Sequence, residues 1–459
     1  MKKLLCILLF LFPIIAGAQM PWYKSSPLDY MWMNVGNAGF SAGQAWYQSL
    51  AFSPSGQPYV AYMDYANGQK ATVMMFNGNN WVVVGKAGFS TGVVEYTSLA
   101  FDTSGHPWVA YQDCWYNLGA TVMEYNGTSW ITVGNHSFSP AGTESENLAF
   151  SPLGVAYIAF SDAQNGGMAI VMRYNGTNWI DVGNTDFSVG SVSYTTLALD
   201  PSGVPYTAFE DAGDSSKASV MKLNGLNWVY VGNEGFSLKQ AWYTSLAFSP
   251  SGQPYVAFED WGNGHKATVM KFNGTNWVNV GNPGFSAGEA YYESLVFGPS
   301  GEPYVAYMDS LNSYEATLMK FDGNNWVSVG HPGFSAGNAG WTSLAFGPSG
   351  TPYVGYTDGA NSWKTTVMKY DTVFVGINEK PGSRLSIYPN PATDNITIEL
   401  TVPVKESSLV IVDTQGQEFI SRQITGPRTQ LDISNLPGGV YFVRLTNDGT
   451  VEVGKIIKN

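Results

Sequence analysis

Trp32, Trp81, Trp130, Trp179, Trp228, Trp277 and Trp326 each open the phrase Trp-x-x-Val-Gly, and consecutive members stand 49 residues apart. A strict period of that length admits few folds. One such unit cannot bury its own apolar face, so the copies must pack on one another. Seven copies fill residues 32–374 without insertion or deletion. Phe recurs eight residues after each Trp (Phe40 to Phe334) and Ser one residue later (Ser41 to Ser335). Leu, Gly, Asp and Met recur at offsets 18, 24, 32 and 42, each in all seven copies.

Within a copy the pattern predicts four short strands, here lettered A to D. Ser-Leu-Ala-Phe at 49–52 is A, and Ser-Pro-Ser-Gly turns the chain into Tyr-Val-Ala-Tyr-Met-Asp at 59–64, which is B. Ala-Thr-Val-Met-Met-Phe at 71–76 is C, Asn77-Gly78 marks a hairpin, and Trp-Val-Val-Val-Gly at 81–85 is D. These strands are β-branched, aromatic and almost continuously apolar, and no segment carries a sustained helical period. Four antiparallel strands in 40–50 residues make a propeller blade. The predicted fold is therefore all-β: a seven-bladed β-propeller followed by a small C-terminal β-sandwich. A D-type strand at Trp32 precedes the first A strand. After the last C strand, 365–370, the D pattern decays, so Met33 to Val35 is predicted to pair there and close the ring.

Composition narrows the functions open to such a ring. Aromatic residues make up 14% of the chain and charged residues 12%, too aromatic and too weakly charged for a disordered chain. Residues 19–376 hold 12 Lys and Arg against 26 Asp and Glu. So acidic a body is a poor partner for nucleic acid or an anionic membrane. With two cysteines and four histidines in no cluster, neither a disulfide framework nor a zinc site is expected, and no cofactor is implied.

Both ends read differently from the repeats. Lys2-Lys3, an apolar run from Leu4 to Ile15 and Ala16-Gly17-Ala18 make a signal peptide, cleaved before Gln19. The run is too short to span a bilayer, and no later segment is apolar enough to do so. After residue 377 the repeat is gone. Leu385-Ser-Ile-Tyr-Pro-Asn-Pro-Ala-Thr-Asp394 begins a new pattern. It runs through Val410-Ile-Val-Asp-Thr-Gln-Gly416 and Leu431-Asp-Ile-Ser-Asn-Leu-Pro-Gly-Gly-Val-Tyr441 to Lys455-Ile-Ile-Lys458. Alternating strands split by Gly and Pro turns make the sandwich. The Tyr-Pro-Asn-Pro opening, the Asp-x-x-Gly turn, the Leu-Pro-x-Gly-x-Tyr segment and the Lys-x-x-Lys ending resemble the C-terminal sorting domain of the bacterial type IX secretion system. The resemblance implies a Bacteroidota-like bacterium, partnership with that secretion machinery, passage through the outer membrane and removal of the domain at the cell surface. The expected divisions are a signal peptide at 1–18, an N-terminal segment at 19–31, the propeller at 32–376, a linker at 377–384 and the sorting domain at 385–459. The propeller itself carries no family signature: the Gly-Gly doublet of Kelch repeats and the Trp-Asp ending of WD repeats are missing.

Little in the chain reads as catalytic. Gly39-Phe-Ser-Ala-Gly43 fits the string of a nucleophile elbow, and so do 88–92, 284–288 and 333–337, but no helix follows any of them. His106, His136, His265 and His331 stand at four different offsets, and Cys114 is the lone mature cysteine. Asp64, Asp113, Asp162, Asp211, Asp260, Asp309 and Asp358 end the seven B strands. They read as turn-fixing residues, with cation binding as the alternative.

Function is better sought where the copies differ. The D–A links and the B–C loops share one rim, and there the aromatics vary. Trp46, Tyr47, Tyr96, Tyr194, Trp242, Tyr243, Tyr291, Tyr292 and Trp341 come from the links, and Trp115, Trp261 and Trp363 from the loops. Aromatics kept out of the core without a folding role mark a binding surface. The expected function is a secreted cell-surface protein that binds an extracellular glycan or protein at this rim. One alternative is a propeller glycosidase or lyase using acids among Glu95, Glu144, Glu146 and Glu293; another is a purely structural surface protein. No single pair of acids stands out as catalytic.

Overall fold

The computed structural model describes residues 28–139, 142–374, 385–400, 407–413, 418–447 and 450–458. The predicted signal peptide and the 377–384 linker lie outside the described residues. Residues 30–371 form one compact unit, and the C-terminal region from 372 onward belongs to another.

Blade one is an antiparallel meander of Ala45–Phe52, Pro58–Asp64, Lys70–Phe76 and Trp81–Val83. Five further blades repeat it through Trp326–Ser328. The B and C strands are buried on both faces, as their unbroken apolar runs require: Val60, Ala61, Tyr62, Ala71 and Val73 are at most 1% exposed. Blade seven is built from Ala339–Phe346, Pro352–Asp358 and Lys364–Phe374, with Leu28–Asn34 from the opposite end of the chain as its fourth strand. Val35 N donates to Val367 O at 2.8 Å, so the predicted closure is present.

The invariant Trp and Phe lock neighbouring blades. Each Trp ring stacks on the Phe of the preceding copy, as Trp81 does on Phe40 at 4.3 Å and 7°. Each indole N–H also donates to the carbonyl of the preceding Val, as Trp81 does to Val35 at 2.6 Å. The pair Phe334 and Trp32 carries this contact across the closure, where Trp32 donates to Val329 O at 2.9 Å.

The seven aspartates clasp the B–C turns. All are at most 2% exposed. In every copy Oδ1 accepts from the backbone N–H two residues on, at 2.8–3.2 Å. Where the copy has them, an Asn three residues on and a Thr eight residues on donate to Oδ2, as Asn67 and Thr72 do to Asp64 at 2.8 Å. Donors converge on both oxygens, so a cation would have to displace them.

One sequence expectation needs correction. Strand A begins at Ala45, not Ser49, and the corresponding strands of the other blades begin at the same offset. A β-bulge between Trp46 and Ser49 breaks the alternation, and it recurs in all seven blades. The residues read as a variable link are therefore the first turn of the innermost strand.

In the C-terminal unit a three-stranded sheet (Leu385–Tyr388, Asn395–Leu400, Arg428–Asp432) shares one core with a four-stranded sheet that includes Ser407–Asp413 and Thr450–Lys458. Ile396 and Ile398 of the first sheet join Leu409, Ile411, Val443 and Ile456 of the second, all at most 1% exposed. Asn390, from the Tyr-Pro-Asn-Pro motif, clasps the last strand: its Nδ2 donates to Lys455 O at 2.7 Å, and its Oδ1 accepts from Ile457 N at 2.8 Å.

Candidate functional site

The bulge turns one residue of each A strand into the left-handed region. Tyr47, Tyr96, Ser145, Tyr194, Tyr243, Tyr292 and Trp341 all have φ between 48° and 61°. Bulky side chains rarely hold that conformation, and strain of this kind gathers at functional sites. Six of the seven are aromatic, and they touch in series. Ring centroids are 4.6 Å apart for Tyr194 and Tyr243, 4.8 Å for Tyr243 and Tyr292, and 5.2 Å for Tyr292 and Trp341. The series continues at 5.5 Å from Trp341 to Tyr47 and 4.9 Å from Tyr47 to Tyr96. The result is a collar of six rings with one gap, at Ser145. It surrounds a cavity of about 360 Å³ where the seven A strands converge.

The residue after each collar member is polar: Gln48, Thr97, Glu146, Thr195, Thr244, Glu293 and Thr342. All seven line the same cavity and form its floor. Three of the four Thr hydroxyls tie adjacent blades together. Thr244 donates to Tyr194 O and Thr342 to Tyr292 O, both at 2.5 Å, and Thr97 donates to Tyr47 O. Glu146 and Glu293 interrupt that pattern. Thr143 donates to Glu146 Oε1, but Glu146 Oε2 and both Glu293 oxygens are buried with no partner of good geometry.

Burial pushes the Glu146 carboxyl up to about 8, against the smaller opposing effect of the Thr143 bond. Burial likewise holds Glu293 well above the carboxylate range, and Glu259 adds to the effect. The folded chain keeps the Glu146 proton in a range where the unfolded chain, at an ordinary value of 4.5, gives it up. Stability should therefore fall as pH rises from about 4.5 to about 8, by an amount on the order of 5 kcal/mol for this one group. Glu146→Gln is expected to flatten that part of the melting-temperature profile. A variant profile as steep as that of the parent would show that Glu146 is ionised in the fold.

A second cavity, of about 450 Å³, adjoins the first and shares Tyr292 and Trp341 with it. Trp46, Tyr314 and Trp363 complete its aromatic lining. It exists because repeat seven has Gly340 where repeats one, five and six have Trp46, Trp242 and Tyr291. A Cβ on Gly340 would meet only Thr357, at 3.8 Å, so the backbone tolerates a side chain there.

The aromatics picked out by sequence thus fall into separate groups. Tyr47, Tyr96, Tyr194, Tyr243, Tyr292 and Trp341 form the collar. Trp46 and Trp363 flank the groove of blade seven. Trp242 packs edge-on against Trp261 at 4.6 Å. The Tyr291 hydroxyl donates to Glu289 at 2.5 Å, and Trp115 stands apart, 70% exposed. Trp46 and Trp242 are half-buried rather than free in water, because belonging to strand A brings them against neighbouring rings: Trp46 lies 5.2 Å from Tyr65 and 5.3 Å from Trp341. Sequence reasoning missed the threonine and glutamine floor and the gap at Gly340. The available signal was a position polar in all seven copies inside an apolar strand.

Among the other titratable groups, Glu144 is exposed and Glu95 half-buried. His265 Nδ1 lies 2.6 Å from Glu259 Oε1, and His106 Nδ1 lies 3.0 Å from Glu124 Oε1. Burial, with Glu95 and Asp113 nearby, pushes the Cys114 thiol up to about 11, which keeps it protonated.

Residues 386–459 match the family of secretion system C-terminal sorting domains. Karilysin of Tannerella forsythia is 29% identical over 87 residues, which are 17% of this chain and 18% of karilysin, so the chain spans less than a fifth of that relative. Among solved structures, the chain is similar to PorZ, described as an essential bacterial surface component of the type IX secretion system of Porphyromonas gingivalis. The identity is 14% and the TM-score 0.48, over 91% of this chain and 60% of that one. It is also similar to an ulvan lyase bound to a GlcA–Rha3S saccharide, at 12% identity and a TM-score of 0.49, over 74% of this chain and 95% of that one. The match at 386–459 makes that region a type IX sorting domain, which directs export to the cell surface or the extracellular space. Among the described residues, no helix is long and apolar enough to cross a membrane.

Proposed function

We propose that the mature propeller is a non-catalytic extracellular binding protein whose ligand is a glycan chain. The collar is the observation that carries this reading: six aromatic rings held in a strained backbone conformation around a cavity with a polar floor. A largely apolar pocket with a few convergent polar groups is the common form of a small-ligand site. Sugar rings present apolar faces to such rings and hydroxyls to such a floor. The groove beside Gly340 continues the aromatic wall toward Trp46 and Trp363, which supports a ligand longer than one sugar.

Binding is favoured over hydrolysis by the state of the two acids in the cavity. A glycosidase needs one carboxyl protonated and one ionised. Burial raises both Glu146 and Glu293, so the two acids are not pushed apart as such a pair requires. A glycan-array screen of the mature chain tests the reading, with Gly340→Trp as the diagnostic variant. The variant should fill the groove and weaken binding of oligosaccharides by roughly 10-fold or more, the usual size of a hot-spot contact, while melting at an unchanged temperature. Absence of glycan binding by the parent chain, or full binding by Gly340→Trp, would contradict it.

A further inference from the structure

Two buried acids in a pocket without a cation call for a ligand that supplies one. Among the described residues lining the axial cavity there is no Lys, Arg or His. Glu146 and Glu293 are 4% and 7% exposed, and three of their four carboxyl oxygens have no hydrogen-bond partner. An unpaired buried carboxyl is costly, and the Thr143 bond to Glu146 and the glutamates' own backbone N–H groups offset it only in part. In all other copies the same position is Thr or Gln, which shows that the blade does not require an acid. The two acids are buried where the collar residues are half-buried, so an entering ligand meets the aromatic rings first. Ring faces attract cations, more strongly once water is excluded.

Resting on the glycan reading, we propose that the axial pocket takes a protonated amine, and that the glycan is one bearing unacetylated amino sugars. The ammonium group sits among the collar rings, with the two acids behind it. Its charge draws Glu146 and Glu293 toward the ionised state, so each binding event releases protons. Glu146 is faced by Glu144, Glu95, Tyr96 and Cys114, and Glu293 by Glu259, Tyr243 and Tyr307, none of which is cationic. Glu259 in turn carries His265, whose Nδ1 lies 2.6 Å from Glu259 Oε1.

Calorimetric titration of the mature chain at pH 6 tests this. Glucosamine oligomers are compared with N-acetylglucosamine oligomers of equal length. The amine form should bind at least 10-fold more tightly. Titrations in two buffers of different protonation enthalpy should show net proton release for the amine form alone. Glu146→Gln with Glu293→Gln should erase the preference for the amine form and the net proton release that accompanies it. Equal affinity for both forms, or a preference that survives the double substitution, would overturn the proposal while leaving the glycan reading intact. Failure of both forms and of every neutral oligosaccharide to bind would overturn both. A lysine-rich peptide of equal charge is the remaining arm: binding tighter than that of the glucosamine oligomer would overturn the assignment to a sugar. The parent-chain titrations decide the matter even if the double variant does not fold.

Discussion

Deletion of residues 19–36 is expected to lower the melting temperature of the propeller by roughly 10 °C or more. These residues include Leu28–Asn34, the fourth strand of blade seven. Their loss removes Trp32, which is 6% exposed, stacks on Phe334 and donates to Val329 O. Truncating a buried aromatic of this kind costs about 3–5 kcal/mol by itself. It also removes the Val35 bond to Val367 and leaves Lys364–Phe374 as an unpaired edge. Such an edge is an aggregation surface, so loss of solubility on heating should accompany the lower transition. Thermal melts followed by circular dichroism and light scattering provide the check. An unchanged melting temperature would show that the ring closes without its N-terminal strand.

Removal of residues 385–459 is expected to abolish surface display and leave a folded propeller in the periplasm. The sorting domain spans 386–459 and has its own hydrophobic core, shared between its two sheets. The propeller core at Val60, Val109 and Ile158 is built from residues of the 30–371 unit alone, so its stability should survive the truncation. Cell fractionation with protease accessibility on intact cells reads the outcome. Near-complete protection of the truncated chain is expected, against digestion of the full-length product. Surface exposure of the truncated chain would mean that the address lies elsewhere.

The ring was legible because its determinants repeat. Seven Trp-x-x-Val-Gly phrases at a constant spacing set the blade count, and a D-type strand ahead of the first A strand implied the closure. The Asp at each B-strand end was equally legible as a turn residue, since one short carboxylate can accept from the loop that follows it. The collar was legible only as a list of aromatics. What was hidden is the bulge after Trp46: it breaks the period-2 pattern from which strands are read, so Ala45 to Gln48 looked like loop. Positive φ at Tyr47 and its counterparts could not be inferred either, because aromatic residues are poor markers of that conformation. Half-burial of Trp46 and Trp242 follows from contacts between blades, which no single repeat encodes. The groove came from an absence, Gly340 in place of an aromatic, and only the neighbouring blades show that the space is left open.

The most direct test of the binding account is Trp341→Ser. Trp341 belongs to the collar and to the blade-seven groove, touching Tyr47, Tyr292 and Trp46. Serine is what repeat three already carries at this position and in this backbone conformation, so the substitution is one that a blade of this chain accommodates. Affinity for the glycan selected on the array should be measured by calorimetry for both chains. The account predicts a loss of about 2 kcal/mol or more, roughly 30-fold, with the ring still folded. Retained affinity in a folded Trp341→Ser chain would contradict it.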